Sequence, residues 1–299
     1  MLWAATFLSE FNCDRLVVIG VGLIGGSVAA ALRRAGKVGR IVGVGRGRSN
    51  IERALALRVI DEASDDIGRA VQGADIVLLA VPVLQNAHVL TNLAGSVATE
   101  TLVTDAGSTK MDYVAAVRRL LPTHLARVVP AHPIAGAELT GVDAANPGLF
   151  VDKNVVLTPL PENHVQAVGR IESMWKTCGA RVSRMTPSHH DEVFSAVSHL
   201  PHMLAYTLVH MIATRPDAQE LFSFAAGGFR DFTRIASSSP EMWRDIASAN
   251  REALLVDIAN YQKQLAQLAE LIGNADSQEL GRIFETARNA RNAWLRQDT

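Results

Sequence analysis

Only two of the 299 residues are cysteine, Cys13 and Cys178, so neither a disulfide framework nor a four-thiolate zinc site can be built from this chain. The thiol count fits a reducing cytosol. Charge of one sign is not in excess either: 29 Lys and Arg face 30 Asp and Glu, a formal net charge of −1. With no basic surplus or basic block, electrostatic binding to nucleic acid or to an anionic membrane is not expected. No apolar run approaches the ~20 residues a bilayer span requires. The opening MLWAATFLSEFNCDR lacks a basic n-region and carries Glu10 and Asp14, so residues 1–14 read as a loose N-terminal extension and not as a signal peptide. No His-Glu-x-x-His pattern is present, and no cysteine or carboxylate is spaced to complete a shell around His189, His190, Asp191 and His199. No metal is therefore expected. What remains is an ordinary globular composition, 48% apolar and 20% charged, at a length that suggests two domains at ~150 residues each.

The chain divides by pattern. From Arg15 to about Met185, short apolar runs alternate with helical segments, which predicts an α/β fold with a doubly wound, mostly parallel sheet. The predicted strands are 15–20, 40–45, 75–81, 101–106, 127–132, 154–159 and 181–185, several of them almost wholly Val, Ile and Leu, as strands buried on both faces are. After Met185 the strands stop, and an all-helical domain is predicted over 187–299, following a dinucleotide-binding domain over 15–186. Its first helix opens at capping candidates Thr186 and Ser188, with Phe194, Val197, Leu204, Leu208 and Met211 on one stripe. Pro201, inside that pattern, predicts a kink. Leu254, Ile258, Tyr261, Leu265, Leu268 and Ile272 form an apolar seam on a long helix, followed by a last helix over roughly 276–296. The seam either packs inside its own subunit or faces a second one.

Gly20-Val21-Gly22-Leu23-Ile24-Gly25 ends the first strand and opens a helix. A Gly-x-Gly-x-x-Gly alone is weak, but strand before and helix after is the context that a dinucleotide site requires. Gly20 permits the tight turn, Gly22 lets the backbone approach a pyrophosphate, and Gly25 allows close helix–strand packing, with the N–H groups of Leu23 and Ile24 at the helix start. The second strand should end on the residue that reads the adenosine ribose. In place of the Asp or Glu of NAD-preferring sites stands Gly45-Arg46-Gly47-Arg48-Ser49-Asn50. Arg46, Arg48 and Ser49 suit a 2′-phosphate, so NADP is expected, with NAD as an alternative; a merely solvated basic loop is the bland reading.

Asp105-Ala106-Gly107-Ser108-Thr109-Lys110 follows the fourth strand, and the fifth ends at Ala131-His132-Pro133. Carboxyl ends of parallel strands are where open α/β sheets bind ligands, so Ser108 and His132 can share a crevice with a nicotinamide. A histidine oriented by a hydroxyl is a suitable base for removing an alcohol proton as hydride leaves the same carbon. Against this stand a satisfied strand-end histidine and a Ser108 that serves as a helix cap. In the helical half, Ser198 and His202 share one helical face, while Arg230 and Arg234 offer guanidinium forks for carboxylates. One of those arginines is expected to be structural, paired with Asp231 or another acid.

GVGLIGGS (20–27), TDAGSTK (104–110), AHPIAGAELTG (131–141), VSHLPH (197–202), GGFRDFTRIA (227–236) and SSSPEMW (237–243) together resemble the prephenate and arogenate dehydrogenases of tyrosine biosynthesis, over nearly the whole chain. The glycine motif is generic; the HPxxGxE, SHLPH and DFTRIA blocks in this order are specific. The resemblance implies a cytoplasmic homodimer, joined through the helical domain, that oxidatively decarboxylates prephenate. By position it makes His132 the base, with Ser108 holding the substrate hydroxyl and imidazole in register. It also assigns Arg234 to a substrate carboxylate and Ser198 with His202 to the pocket wall. Glu138 matches a gating glutamate, and Trp243 matches a tryptophan that reaches in from the partner subunit. The short run before the first strand leaves no room for a fused mutase, so a single activity is expected. L-arogenate as substrate, dual specificity and a non-catalytic NADPH-binding sensor are the alternatives.

Overall fold

The computed structural model describes residues 11–136 and 140–296. By packing it falls into two compact units, residues 1–251 and 252–299. The first begins with the expected α/β alternation: β1 (Cys13–Ile19), α1 (Leu23–Arg34), β2 (Val38–Val44), α2 (Arg48–Ala56), β3 (Glu62–Ser64), α3 (Ile67–Ala70), β4 (Ile76–Leu79), α4 (Asn86–Leu93), β5 (Leu102–Asp105), α5 (Met111–Leu120) and β6 (Val128–Val129). The six strands form one all-parallel sheet in the order β3-β2-β1-β4-β5-β6. The order reverses between β1 and β4, and a crevice outside the strand tips at such a point is where these sheets bind ligands.

The apolar runs are continuous because both faces of the sheet are covered. On β1, Leu16 and Val18 join a cluster with Val28 and Leu32 of α1, whereas Val17 and Ile19 join one with Leu90 of α4 and Tyr113 and Val117 of α5. Side chains alternate across a strand, so a polar residue at either parity would be stranded in a core. Each fully buried Leu or Val contributes roughly 1.5–3 kcal/mol by leaving water.

Three strand expectations need correction. β3 was not foreseen: it has three residues in the polar run DEASDD, lies at the sheet edge, and carries no apolar pattern to betray it. β1 starts at Cys13, two residues earlier than expected, with Phe11 already buried. The segment 127–132 does not run on as one strand. Pro130 has no N–H to continue the ladder, and the chain leaves the main sheet there. β7 (Ala131–Pro133) pairs antiparallel with β8 (Asn154–Leu157), which pairs parallel with β9 (Arg181–Arg184) in a separate three-stranded sheet. The helix α6 (Val165–Thr177) packs its Ile171, Met174 and Trp175 into the first cluster. Cys13 and Cys178 are buried and free, and burial pushes both thiols up to about 12.

Helices alone follow β9: α7 (Pro187–Phe194), α8 (Leu200–Ala213), α9 (Ala218–Ser223), α10 (Gly227–Thr233) and α11 (Pro240–Ala249). Thr186 caps α7, accepting the N–H of His189 at 3.3 Å. Ser188 does not cap; its hydroxyl bonds Glu192. In place of a simple kink at Pro201, the chain passes from α7 to α8 through a wide π-type turn over Ser195–His199. That turn loosens the carbonyl row on which the proline ring would otherwise clash. It also rotates the stripe: Phe194 is buried, but Val197 and Met211 are 67% and 56% exposed. In the second unit, α12 (Arg251–Gly273) and α13 (Ser277–Leu295) match the expected helices. Along the seam of α12, Leu254 is buried while Leu265 and Ile272 stay exposed. No helix among the described residues is long and apolar enough to cross a membrane.

Candidate active site

The glycine turn lies at the tip of β1. Gly20 has φ of +98°, and a Cβ there would sit 2.3 Å from the Ala80 carbonyl oxygen. A Cβ on Gly25 would meet the Gly20 oxygen at 2.2 Å, whereas one on Gly22 would project into open space. Gly22 precedes α1 with no side-chain cap, so the N–H groups of Leu23, Ile24 and Gly25 are left to bond an anion. The turn opens on a cleft of about 1180 Å³, walled by Gly22, Arg46, Asp65, Ile67, Pro82 and His88 among others. The open space over Gly22 and the uncapped helix start fit a dinucleotide pyrophosphate. Asn50 braces the entrance: its amide donates to Val21 O at 2.6 Å, and its oxygen accepts Val142 N–H at 2.9 Å. Of the arginine loop, Arg46 lines the cleft, Arg48 pairs with Glu52 at 2.8 Å on the helix surface, and Ser49 is exposed in the first turn of α2.

His132 is half-buried on β7. Asp105, the last residue of β5, accepts the N–H of Ala131 at 3.0 Å and of Gly107 at 2.9 Å, and pairs with the wholly buried Lys110. The Lys110 ammonium also donates to Ala131 O at 2.7 Å. The two sheets are thus clamped together one residue before the imidazole. His132 Nδ1 lies 2.8 Å from His190 Nε2, and His190 Nδ1 lies 2.7 Å from Asp191 Oδ1. Phe194 sets its ring edgewise to His132 at 4.8 Å. Among the described residues no protein group bonds His132 Nε2. Burial is the main cause that holds its pKa well below the ordinary histidine value, and the Lys110 ammonium acts in the same direction.

Asp191 reaches further: its oxygens accept the N–H groups of Lys110 at 2.9 Å and Met111 at 2.8 Å, capping α5. Asn250 donates to Asp191 O at 2.8 Å and to His199 Nδ1 at 3.0 Å. In the sequence, His190 and Asp191 suggest only metal ligation. Their adjacency marks a pair, but 58 residues separate His190 from His132, and no local pattern brings them together. No hydrogen bond among the described residues joins Ser108, half-buried after β5, to His132, so the ring is held by His190 instead.

The expected substrate residues gather around the π-type turn. His202 Nδ1 donates to Ser198 O at 2.8 Å, and its ring stacks on Trp243 with centroids 3.5 Å apart. Trp243 therefore stands against a histidine of its own chain. Burial lowers the pKa of His202, and the Arg234 guanidinium acts in the same direction, which places Arg234 close by. Glu138 lies outside the described residues. Among the described residues no group of three or more His, Cys, Asp or Glu could hold a metal.

Comparisons with known proteins place the chain in a family. Residues 28–184 match the family model described as prephenate dehydrogenase, nucleotide-binding domain, and residues 186–286 match prephenate dehydrogenase, dimerization domain. A prephenate dehydrogenase of Bacillus subtilis is 38% identical over 287 residues, covering 95% of this chain and 77% of that one. A cyclohexadienyl dehydrogenase of Zymomonas mobilis is 35% identical, covering 93% and 95%. The crystal structure of prephenate dehydrogenase from A. aeolicus, in complex with hydroxyphenyl propionate and NAD+, has a TM-score of 0.89 at 35% identity over 95% of this chain and 99% of that one. Synechocystis arogenate dehydrogenase has a TM-score of 0.80 at 31% identity, covering 94% and 99%. The nucleotide cleft, the clamped histidine and the helical half thus stand in a chain that belongs to the prephenate dehydrogenase family.

Proposed function

We propose that the protein catalyses the oxidative decarboxylation of prephenate to 4-hydroxyphenylpyruvate with a nicotinamide dinucleotide. The observation that carries this reading is His132, with Nδ1 engaged by His190 and Nε2 left to act. When bound, the nicotinamide supplies the acceptor for the hydride on ring C4. His132 Nε2 takes the C4 hydroxyl proton as a carbonyl develops at that carbon. Loss of the ring carboxylate as CO2 then leaves its bonding pair to complete the aromatic ring, and the oxygen at C4 takes the proton back from His132. Burial keeps His132 neutral and able to receive the proton at neutral pH. Ser108 holds the substrate hydroxyl, and Arg234 pairs with a substrate carboxylate. Ser198, His202 and Trp243 form the wall, and Glu138 gates it. Placement of substrate against cofactor is the main contribution of these residues. Both prephenate and arogenate enzymes stand among the relatives; prephenate is the substrate proposed.

NADP is the proposed cofactor, with NAD as the alternative. The tip of β2 has no carboxylate to accept a ribose hydroxyl. Arg46 faces the cleft, and α2 starts without a side-chain cap, as suits a phosphate. The protein is a homodimer whose helical half supplies the interface, a reading supported by the half-covered seam of α12 and by the matched dimerization domain. It works in the cytoplasm, where its two buried thiols stay reduced.

Mixing protein, NADP and prephenate, then arogenate, while following the absorbance of reduced nicotinamide tests the reaction. Absorbance rising with prephenate is expected; silence with both substrates, despite measurable cofactor binding, would favour a sensor. Arg46→Ala should lower kcat/KM for NADP by about tenfold or more, as loss of a charge-assisted hydrogen bond does, and spare NAD. A wild-type specificity constant much higher for NAD than for NADP would overturn the cofactor reading.

A further inference from the structure

We propose that His190 and Asp191 are positioning residues that fix the tautomer of His132, so that its Nε2 meets the substrate without a hydrogen. The inference rests on the reading of His132 as the base, and it follows from donors and acceptors taken in order. A carboxylate only accepts, and Asp191 already receives the backbone N–H groups of Lys110 and Met111. Its third contact, at 2.7 Å, must therefore be with a hydrogen on His190 Nδ1. Neutral His190 then has a bare Nε2, which can only accept. The 2.8 Å contact requires His132 Nδ1 to carry the hydrogen, and neutral His132 is left with its lone pair on Nε2. Histidine free in water prefers the opposite form, with hydrogen on Nε2, so the protein inverts a preference that would put the wrong nitrogen forward.

The surroundings suit that role. His190 is fully buried, and burial holds both imidazoles below the ordinary histidine range. Phe194 packs against both rings, at 4.8 Å from His132 and 4.5 Å from His190, which opposes rotation about χ2. Asn250 anchors the Asp191 backbone. As His132 Nε2 takes the substrate proton, the Nδ1–H bond to His190 becomes charge-assisted and strengthens. No proton needs to pass to His190, and the carboxylate of Asp191 opposes the new positive charge.

The test is nitrogen NMR of the full chain with labelled imidazoles, the His132 signals being assigned by their loss in His132→Asn. Hydrogen on Nδ1 and a bare Nε2 are expected for His132 in the wild type; hydrogen on Nε2 would overturn the proposal. His190→Met removes the acceptor, and His190→Gln keeps one near the position of Nε2. Losing that one hydrogen bond should lower kcat by about tenfold or more in His190→Met, with KM for prephenate and cofactor affinity within about twofold. His190→Gln should recover most of the rate. Equal rates in the two variants would also overturn the proposal, because a merely structural histidine would not distinguish them. Should His190→Met fail to fold, the wild-type spectrum decides. The spectrum needs no turnover, so a protein inactive on prephenate and arogenate would remove the proposed reaction without touching this result.

Discussion

His199 lets acid stability be worked from a single group. It is buried at 1% exposure, with Nδ1 accepting from Asn250. Burial, the largest cause, lowers its pKa from 6.5 to about 4. Since the folded value is depressed, the unfolded chain binds a proton more readily. The stabilisation is therefore complete above pH 6.5 and is lost progressively as pH falls from 6.5 to about 4. At ~1.4 kcal/mol per pH unit, the separation of those two values corresponds to about 3 kcal/mol. That is a large part of the 5–15 kcal/mol typical of a folded protein. The comparison is wild type against His199→Asn, whose side-chain oxygen can still accept from Asn250 but cannot titrate. Urea unfolding followed by tryptophan fluorescence, at pH 7.5, 5.5 and 4.5 and one fixed protein concentration, gives the difference at each pH. The variant should lose less stability than wild type on acidification, with most of the 3 kcal/mol recovered by pH 4.5. A difference that does not change with pH would refute the reasoning, because the proton linkage would then not reside in His199.

Other outcomes follow from the site. His132→Asn should lose about 10²–10⁴ in kcat, as removal of a general base does, while NADP affinity measured by fluorescence titration stays near wild type. Arg234→Gln should chiefly raise KM for prephenate; a fall in kcat alone would remove its carboxylate role. Gly25→Ala forces a methyl to within 2.2 Å of the Gly20 oxygen, so cofactor binding by calorimetry should be lost. Unaltered affinity would show that the turn relaxes without cost to the phosphate site. For wild type, the acid limb of kcat/KM should lie below pH 6.5, since His132 must be neutral to act and its pKa is lowered.

The main sheet was legible because its strands are buried on both faces and so announce themselves as unbroken apolar runs. The glycine turn was legible because strand, turn and helix are consecutive in sequence. β3 was not, being short, polar and at an edge. The passage at Pro130 from one sheet to another was missed because a proline inside RVVPAH does not say which neighbour each half will pair with. At the site, the motifs mark His132, His202, Ser198, Arg234 and Trp243, but not the groups that hold them. Ser108 was expected to hold the imidazole because both lie at strand ends. The structure gives that place to His190, brought in by α7 from beyond β9. Long-range placement of this kind is set by how α7 caps α5, a contact between residues 80 and more apart.

The wide turn at Ser195–His199 acts as a vernier between two stretches of one continuous helix. A regular α-helix advances 100° and 1.5 Å per residue, and a π-type turn amounts to one residue wound in without a matching advance. Excising a single residue there would restore regular winding and swing everything beyond it by about 100°. His202 would be carried off the indole face on which it lies, although no atom of the pocket had been exchanged. The face that His202 offers to Trp243 is therefore set by the count of residues in that segment as much as by their identity.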